Sequence, residues 1–307
     1  MDAHHKSGAN LFVTYCARRV INPLPVVLKP QPDELLSSWL ARHATFYGIA
    51  RRRLLDHVGL STPSLEALDY KPSLSVQIML AGFFHCEPGA IAAMSHAAVR
   101  DDLHCLVRRI SSLQACRRCT EKGENAGAAG VVLKSWMQGW RITCRSCGSR
   151  LIDLAREKTT TNELDQTSLF SEHWDFAREG EEIFERHALG AVEAVPSPLT
   201  IMQLLLLPRW PEPGEMSDVY RQLRLLNVLL PGFDETVHQR GLKATWSTKL
   251  VLPIPFRVPL LAGLAIVMRD PQKMISYLRV HTRFHGTKRF NQIEPGEITA
   301  TTGPVSH

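Results

Sequence analysis

The sequence predicts a mainly α protein with one small β element embedded in its middle, a helix-turn-helix-like segment before it and a helical domain after it. Three observations carry that prediction. Apolar residues recur at helical spacing from Leu36 to Tyr47. Two cysteine pairs bracket a stretch of β-branched and aromatic residues. Beyond residue 170 the apolar segments have helical lengths, with Pro, Ser or Gly at their ends. The chain divides accordingly into a flexible lead-in over 1–24, a helical domain over 25–105, the cysteine-bearing segment over 106–157, a C-terminal helical domain over 158–280 and a flexible tail over 281–307.

Pro23, Pro25, Pro30 and Pro32 hold the chain extended and keep helix out until Asp33, which has the side chain of an N-cap. Glu34 falls in the first turn, where the helix dipole favours it. Leu36, Trp39 with Leu40, His43 and Phe46 with Tyr47 then form one apolar face, and Gly48 suits the position past the helix end. His43 on that face reads as a packed histidine rather than a ligand. A second helix spans 50–58, opens with Arg51, Arg52 and Arg53, and stops at Gly59. Two short helices joined by a glycine-containing turn resemble a helix-turn-helix. A helix N-terminus and its arginines can meet phosphates together, although such a pair also serves protein docking or structure alone.

Helices are expected over 74–85 and, from a first-turn Pro88, over 88–99. After the cysteine-bearing segment, a polar stretch over 151–168 separates the halves. A charged helix is expected over 172–189 and a buried one over 198–207, stopped by Pro208. Another runs from an N-cap at Ser217 to Leu230, and a final pair over 258–268 and 271–280 splits at Asp270-Pro271.

Cys116-Arg-Arg-Cys119 and Cys144-Arg-Ser-Cys147 are separated by 24 residues. A two-residue spacer lets a tight knuckle aim both sulfurs at one ion, and two knuckles complete a tetrahedron, the spacing of a four-thiolate zinc site. Between them, Val131 to Thr143 has the composition of strands and Gly123 to Gly130 that of a loop, giving a small β zinc ribbon. The competing readings are four unrelated thiols or two redox pairs. Four protein ligands leave no open position for water, so the role expected of the ion is structural. Trp136 and Trp140 are expected to cover the ribbon core, with base stacking the lesser reading.

The 307 residues carry a net charge of +6, unevenly placed. Residues 1–58 hold eight Lys/Arg against four Asp/Glu and residues 100–158 twelve against six, whereas residues 159–278 hold eleven against fifteen. A basic half suits nucleic acid or another acidic surface, or is solvated charge. Arg51, Arg52, Arg53, Arg117, Arg118, Arg141 and Arg145 are the candidate contacts to nucleic acid or a partner. No secretory leader or bilayer-length apolar run is evident, so a cytoplasmic protein is expected. There is no Walker A loop, His-Glu-X-X-His or Gly-X-Ser-X-Gly and no recognisable carboxylate constellation, so no enzyme is expected.

The run Pro32-Asp-Glu-Leu-Leu-Ser-Ser-Trp-Leu-Ala-Arg42, followed by Tyr47-Gly48, closely resembles the opening signature of the TniQ family. Gly89-Ala-Ile-Ala-Ala-Met-Ser95 is similar to the segment before that family's metal motif. The two cysteine pairs, ending Cys147-Gly148, then resemble the motif itself. The resemblance covers Pro25 to Leu154 and is weaker beyond, resting there on helical character and Arg257 to Met268. Cys147 stands where the family often has histidine, a change that thiolate chemistry tolerates. The resemblance implies a non-catalytic adaptor in DNA transposition that links a targeting complex to an AAA+ ATPase and transposase, and that can act as a homodimer. The alternative is a zinc-containing helix-turn-helix regulator that binds DNA directly.

Overall fold

Helix α1 (Leu36–Phe46) is the hub of the N-terminal part. The computed structural model describes residues 23–60, 64–107, 114–125, 130–154, 170–191, 196–209, 224–239 and 254–282. Met1 to Asn22, the N-cap expected at Ser217 and the tail beyond Thr282 lie outside these. α1 buries Leu36, Trp39, Leu40, His43 and Ala44 against α2 (Arg51–Val58), α3 (Leu74–Phe83) and α4 (Pro88–Ala93). Gly48 and Gly59 end α1 and α2 with φ of 62° and 82°, the left-handed conformation that glycine adopts without a Cβ penalty. His43 is packed as expected. It accepts from the Leu28 amide through Nε2 at 2.9 Å, and its Nδ1 lies 2.9 Å from the Trp39 carbonyl.

The cap of α1 departs from expectation. Asp33 adopts φ 61° and its carboxylate accepts from the Ser135 amide at 3.1 Å, so it caps the 3-10 turn Lys134–Met137 instead. The amide of Ser37, in the first turn of α1, is satisfied by Asp69 Oδ1 at 2.8 Å, from 32 residues away. Glu34 precedes the helix, fully buried, and both its oxygens meet Arg42 at 2.7 Å. A sequence reading favours the nearest acid as cap; here tertiary packing reassigns both.

Burial of that joint pushes Asp69 up to about 7 and, on the neighbouring turn, lowers His96 to about 3. His96 donates its amide to the Asp69 carbonyl at 2.7 Å. The references are 3.8 and 6.5. Between those references the unfolded chain holds a proton on His96 and the folded chain holds one on Asp69, so the two slopes cancel. Each variant should uncover the other's slope, up to about 1.4 kcal/mol per pH unit. Relative to the parent, Asp69→Asn should make stability rise more steeply with pH across this window, and His96→Gln should make it fall. Urea midpoints measured at several pH values check both signs, and unchanged profiles would refute the assignment.

The strands expected across 131–143 are not formed. The stretch instead carries the 3-10 turn Lys134–Met137, and the backbone of residues 132–135 bonds to the segment that opens α1. Leu35 donates to the Val132 carbonyl at 2.9 Å, Lys134 to the Asp33 carbonyl at 2.7 Å, and the Val132 amide to Ser38 Oγ at 2.9 Å. Among the described residues the sheet is two short antiparallel strands, β1 (Gln114–Ala115) and β2 (Ile152–Asp153). The loop expected from Gly123 begins as helix, α5 (Arg117–Asn125).

The C-terminal half is helical as expected: α6 (Trp174–Ala188), α7 (Pro198–Leu205), α8 (Leu226–Leu229), α9 (Phe233–Gln239), α10 (Ile254–Arg269) and α11 (Pro271–His281). Ser197 and Asp270 cap α7 and α11 through their side chains. α10 is the central helix, with Leu260, Leu261, Ala262, Leu264, Ala265 and Val267 fully buried, so it reads apolar all round. One continuous core joins it to the cysteine-bearing segment, from Val99 through Trp136 and Trp140 to Leu278. α6 crosses α10 at Gly180, where an added Cβ would overlap the Leu261 carbonyl. Gly180→Ala should therefore force the helices apart and cost about 3 kcal/mol, the upper end of overpacking; a chemical-denaturation midpoint close to the parent's would rule this out. No helix among the described residues is long and apolar enough to cross a membrane.

Candidate metal centre

β1 delivers Cys116 to the start of α5, and Cys119 lies in the first turn of that helix. The Thr120 amide and hydroxyl both donate to the Cys116 carbonyl, at 2.9 and 3.0 Å, and fix the knuckle. The second knuckle is a tight hairpin. Leu151 donates to the Ile142 carbonyl at 2.9 Å, Cys144 to that of Ser149 at 2.8 Å, and Gly148 to that of Cys144 at 2.8 Å. Gly148 turns the chain with φ 71°, which explains a glycine directly after the last cysteine.

The four sulfurs lie within 4.8 Å of one another. Cys116 Sγ is 3.4 Å from Cys147 and Cys119 Sγ is 3.6 Å from Cys144. These short contacts run between the pairs, as in a tetrahedral cluster, and are too long for a disulfide of about 2.05 Å. Zinc–sulfur bonds of about 2.3 Å in a tetrahedron separate the sulfurs by roughly 3.8 Å, so the set fits a metal ion. Cys116 and Cys144 are buried, Cys119 and Cys147 half-buried.

Without an ion, burial pushes the Cys116 thiol up to about 11 and raises Cys119 further. Burial would also raise Cys147, but hydrogen bonds from Ser149 and the neighbouring thiols outweigh it and bring it down to about 6. Metal ligation takes the thiolate form, so filling the site would release protons from the set of thiols.

Buried polar groups of the C-terminal helices grip both arms of the centre. Arg257 on α10 donates through one nitrogen to Gln114 Oε1 and to the Arg141 carbonyl, each at 2.6 Å. A second nitrogen lies 3.9 Å from Asp153 of β2. Glu181 on α6 accepts from the amides of Ile142 and Thr143 at 3.1 Å and from the Thr143 hydroxyl at 2.6 Å, directly before Cys144. Burial raises Glu181, and its bonds to Thr143 and the nearby Arg141 oppose that rise. Trp140 stacks on Phe184 with ring centroids 5.4 Å apart and donates to Glu185 at 2.7 Å. It covers the core, as does Trp136, and neither ring is open to a base.

The structure sorts the candidate arginines. Arg141 is buried, bonded to Gln138 at 2.6 Å and paired with Glu185 at 2.7 Å, so it is an internal strut and not a contact residue. Arg117 and Arg118 are exposed on α5, and Arg145 is half-exposed, 3.8 Å from Glu185. Arg51, Arg52 and Arg53 are exposed on the first turn of α2, with Arg52 3.2 Å from Asp56. Arg257, Glu181, Gln114 and Asp153 were not singled out from the sequence, although an arginine opening the long apolar run of α10 was a usable signal. Comparison of the chain with protein-family models, curated proteins and solved structures finds no match.

Proposed function

We propose that the chain is a TniQ-like, non-catalytic adaptor in DNA transposition, with zinc as the ion of its four-thiolate centre. Its work would be to couple target recognition to an AAA+ ATPase and transposase. The observation that supports this reading is the docking of the Asp33–Ser38 signature onto residues 132–135. The stretches that carry the resemblance lie about a hundred positions apart in sequence, yet they meet through the Asp33, Leu35 and Ser38 hydrogen bonds. Such a joint gives the two motifs a reason to occur together. The test is co-purification of the chain with the products of its neighbouring genes, an AAA+ ATPase and a transposase being the partners expected, followed by an insertion assay with and without the chain. Co-purification together with chain-dependent insertion supports the adaptor; absence of either removes it.

The second reading, direct duplex binding, is favoured by Arg51, Arg52 and Arg53. Three exposed cations sit at a helix N-terminus, where the dipole disfavours positive charge and an anion would relieve it. Replacing all three with Gln should weaken duplex binding and flatten its salt dependence by up to three phosphate contacts. Equal binding by the variant would dispose of this reading.

A further inference from the structure

Helix α3 is apolar on the side that faces the N-terminal core and on the side that does not. Its inner face buries Leu80, Ala81 and Phe83. Its outer face carries Leu74 and Ile78, 66% and 55% exposed, and then Gly82, also exposed. Residues four apart are neighbours on a helix surface, so the three form one continuous ridge. None of the ten residues of α3 is charged. A helix that is apolar all round is ordinarily covered on every side.

Gly82 is the odd member of the ridge. Its backbone is not left-handed, and a Cβ built on it would meet no atom within 4 Å. Alanine would favour the helix there by about 0.5–1 kcal/mol, so neither backbone conformation nor packing within the chain calls for glycine. Gly180 is the contrast, because there the Leu261 carbonyl excludes a side chain. A missing side chain on an outward ridge suits close approach from outside.

The spacing of the ridge says what approaches. Leu74 and Gly82 lie four residues to either side of Ile78. A two-fold axis at Ile78 therefore sets Leu74 of each copy against Gly82 of the other, large against small, with Ile78 against itself. The same axis brings the end of α3 that follows Lys71 to the end that precedes Glu87 in the second copy. Both side chains are exposed and opposite in charge, and Lys71 also holds the exposed Asp101 at 2.9 Å. A parallel pairing would instead bring like charges together and face Gly82 with Gly82.

We propose that α3 is a self-docking surface, through which two copies of this chain pair antiparallel about a two-fold axis at Ile78. Such an interface is isologous, and its end charges set orientation more than affinity. One short helix from each copy buries less than the roughly 1,200 Å² of a standard interface, so a dissociation constant on the order of 10 μM is expected. The inference uses neither the adaptor reading nor the metal centre.

Sedimentation of the full metal-loaded chain across the micromolar range is the experiment. A monomer–dimer equilibrium is expected. Ile78→Glu places two carboxylates together at the axis, and Gly82→Leu fills the space that Leu74 enters. Each should weaken association about tenfold or more, with helicity unchanged. The double variant Leu74→Ala with Gly82→Leu exchanges large for small on both copies and should recover the affinity that Gly82→Leu alone loses. A residue on the axis meets its own copy, so Ile78→Cys should join two chains by a disulfide under mild oxidation, whereas the parent should not cross-link. A chain that stays monomeric throughout the range overturns the proposal. So does a dimer that tolerates Ile78→Glu, since another face then holds it. Failure of the double variant to recover affinity overturns the antiparallel register, and with it the proposal. An Ile78→Cys thiol that resists alkylation in the monomer also overturns it, because this chain's own segments then cover the ridge.

Discussion

Cys144→Ser is expected to abolish metal binding and, with it, the order of helices α6 and α10. Cys144 is fully buried, and the residue before it is held by Glu181 of α6. The opposite arm of the centre is held by Arg257 of α10. Binding of a structural zinc ion by such sites is worth on the order of 10 kcal/mol at neutral pH, comparable to the whole stability of a domain. Losing one buried ligand should therefore disturb the core those helices share with the knuckles. Hydrogen exchange gives the readout. Amides of Trp174–Ala188 and Ile254–Arg269 should lose protection, while those of Leu36–Phe46, which pack in the separate N-terminal core, should keep most of theirs. Full protection of α6 and α10 in a metal-free variant would show that the knuckles are an independent ornament.

The second large effect is expected from Arg257→Met. The side chain is fully buried, and its guanidinium serves Gln114 and the Arg141 carbonyl, with Asp153 nearby. A methionine fills similar volume but removes the buried donor to Gln114 Oε1 and the Arg141 carbonyl and the cation beside Asp153, a loss of about 3–5 kcal/mol. Lysine should not rescue it, because a single ammonium cannot reproduce the fork that reaches separate acceptors. Denaturant titration of the metal-loaded protein measures the loss. A change below about 1 kcal/mol, the scale of an exposed ion pair, would contradict the strut role.

Local signals in the sequence were sufficient wherever local chemistry decides. The cysteine spacing placed four sulfurs together, Gly48 and Gly59 marked helix ends, and the apolar period of residues 36–47 marked α1. What failed depends on partners distant in the chain. Asp33 has the composition of an N-cap, but Asp69 fills that role because the 3-10 turn Lys134–Met137 takes Asp33. Residues 131–143 have the composition of strands, yet residues 33–38 claim backbone groups of residues 132–135, and Glu181 and Arg257 claim those of residues 141–143, contacts no propensity encodes. Arg141 belongs by sequence to a basic surface, and only the placement of Glu181 and Glu185 on α6 shows it to be internal. Phe233–Gln239 carries too few apolar residues to announce itself as a helix.

The measurement that bears most directly on the four-thiolate centre is elemental metal analysis of the intact purified chain, paired with the absorption spectrum after exchange into cobalt. One ion per chain is expected, with the intense thiolate-to-cobalt bands of tetrahedral sulfur coordination, lost when Cys116 or Cys144 is replaced by Ser. A chain that retains protected α6 and α10 while holding no metal, with its four thiols titrating freely, would contradict the account.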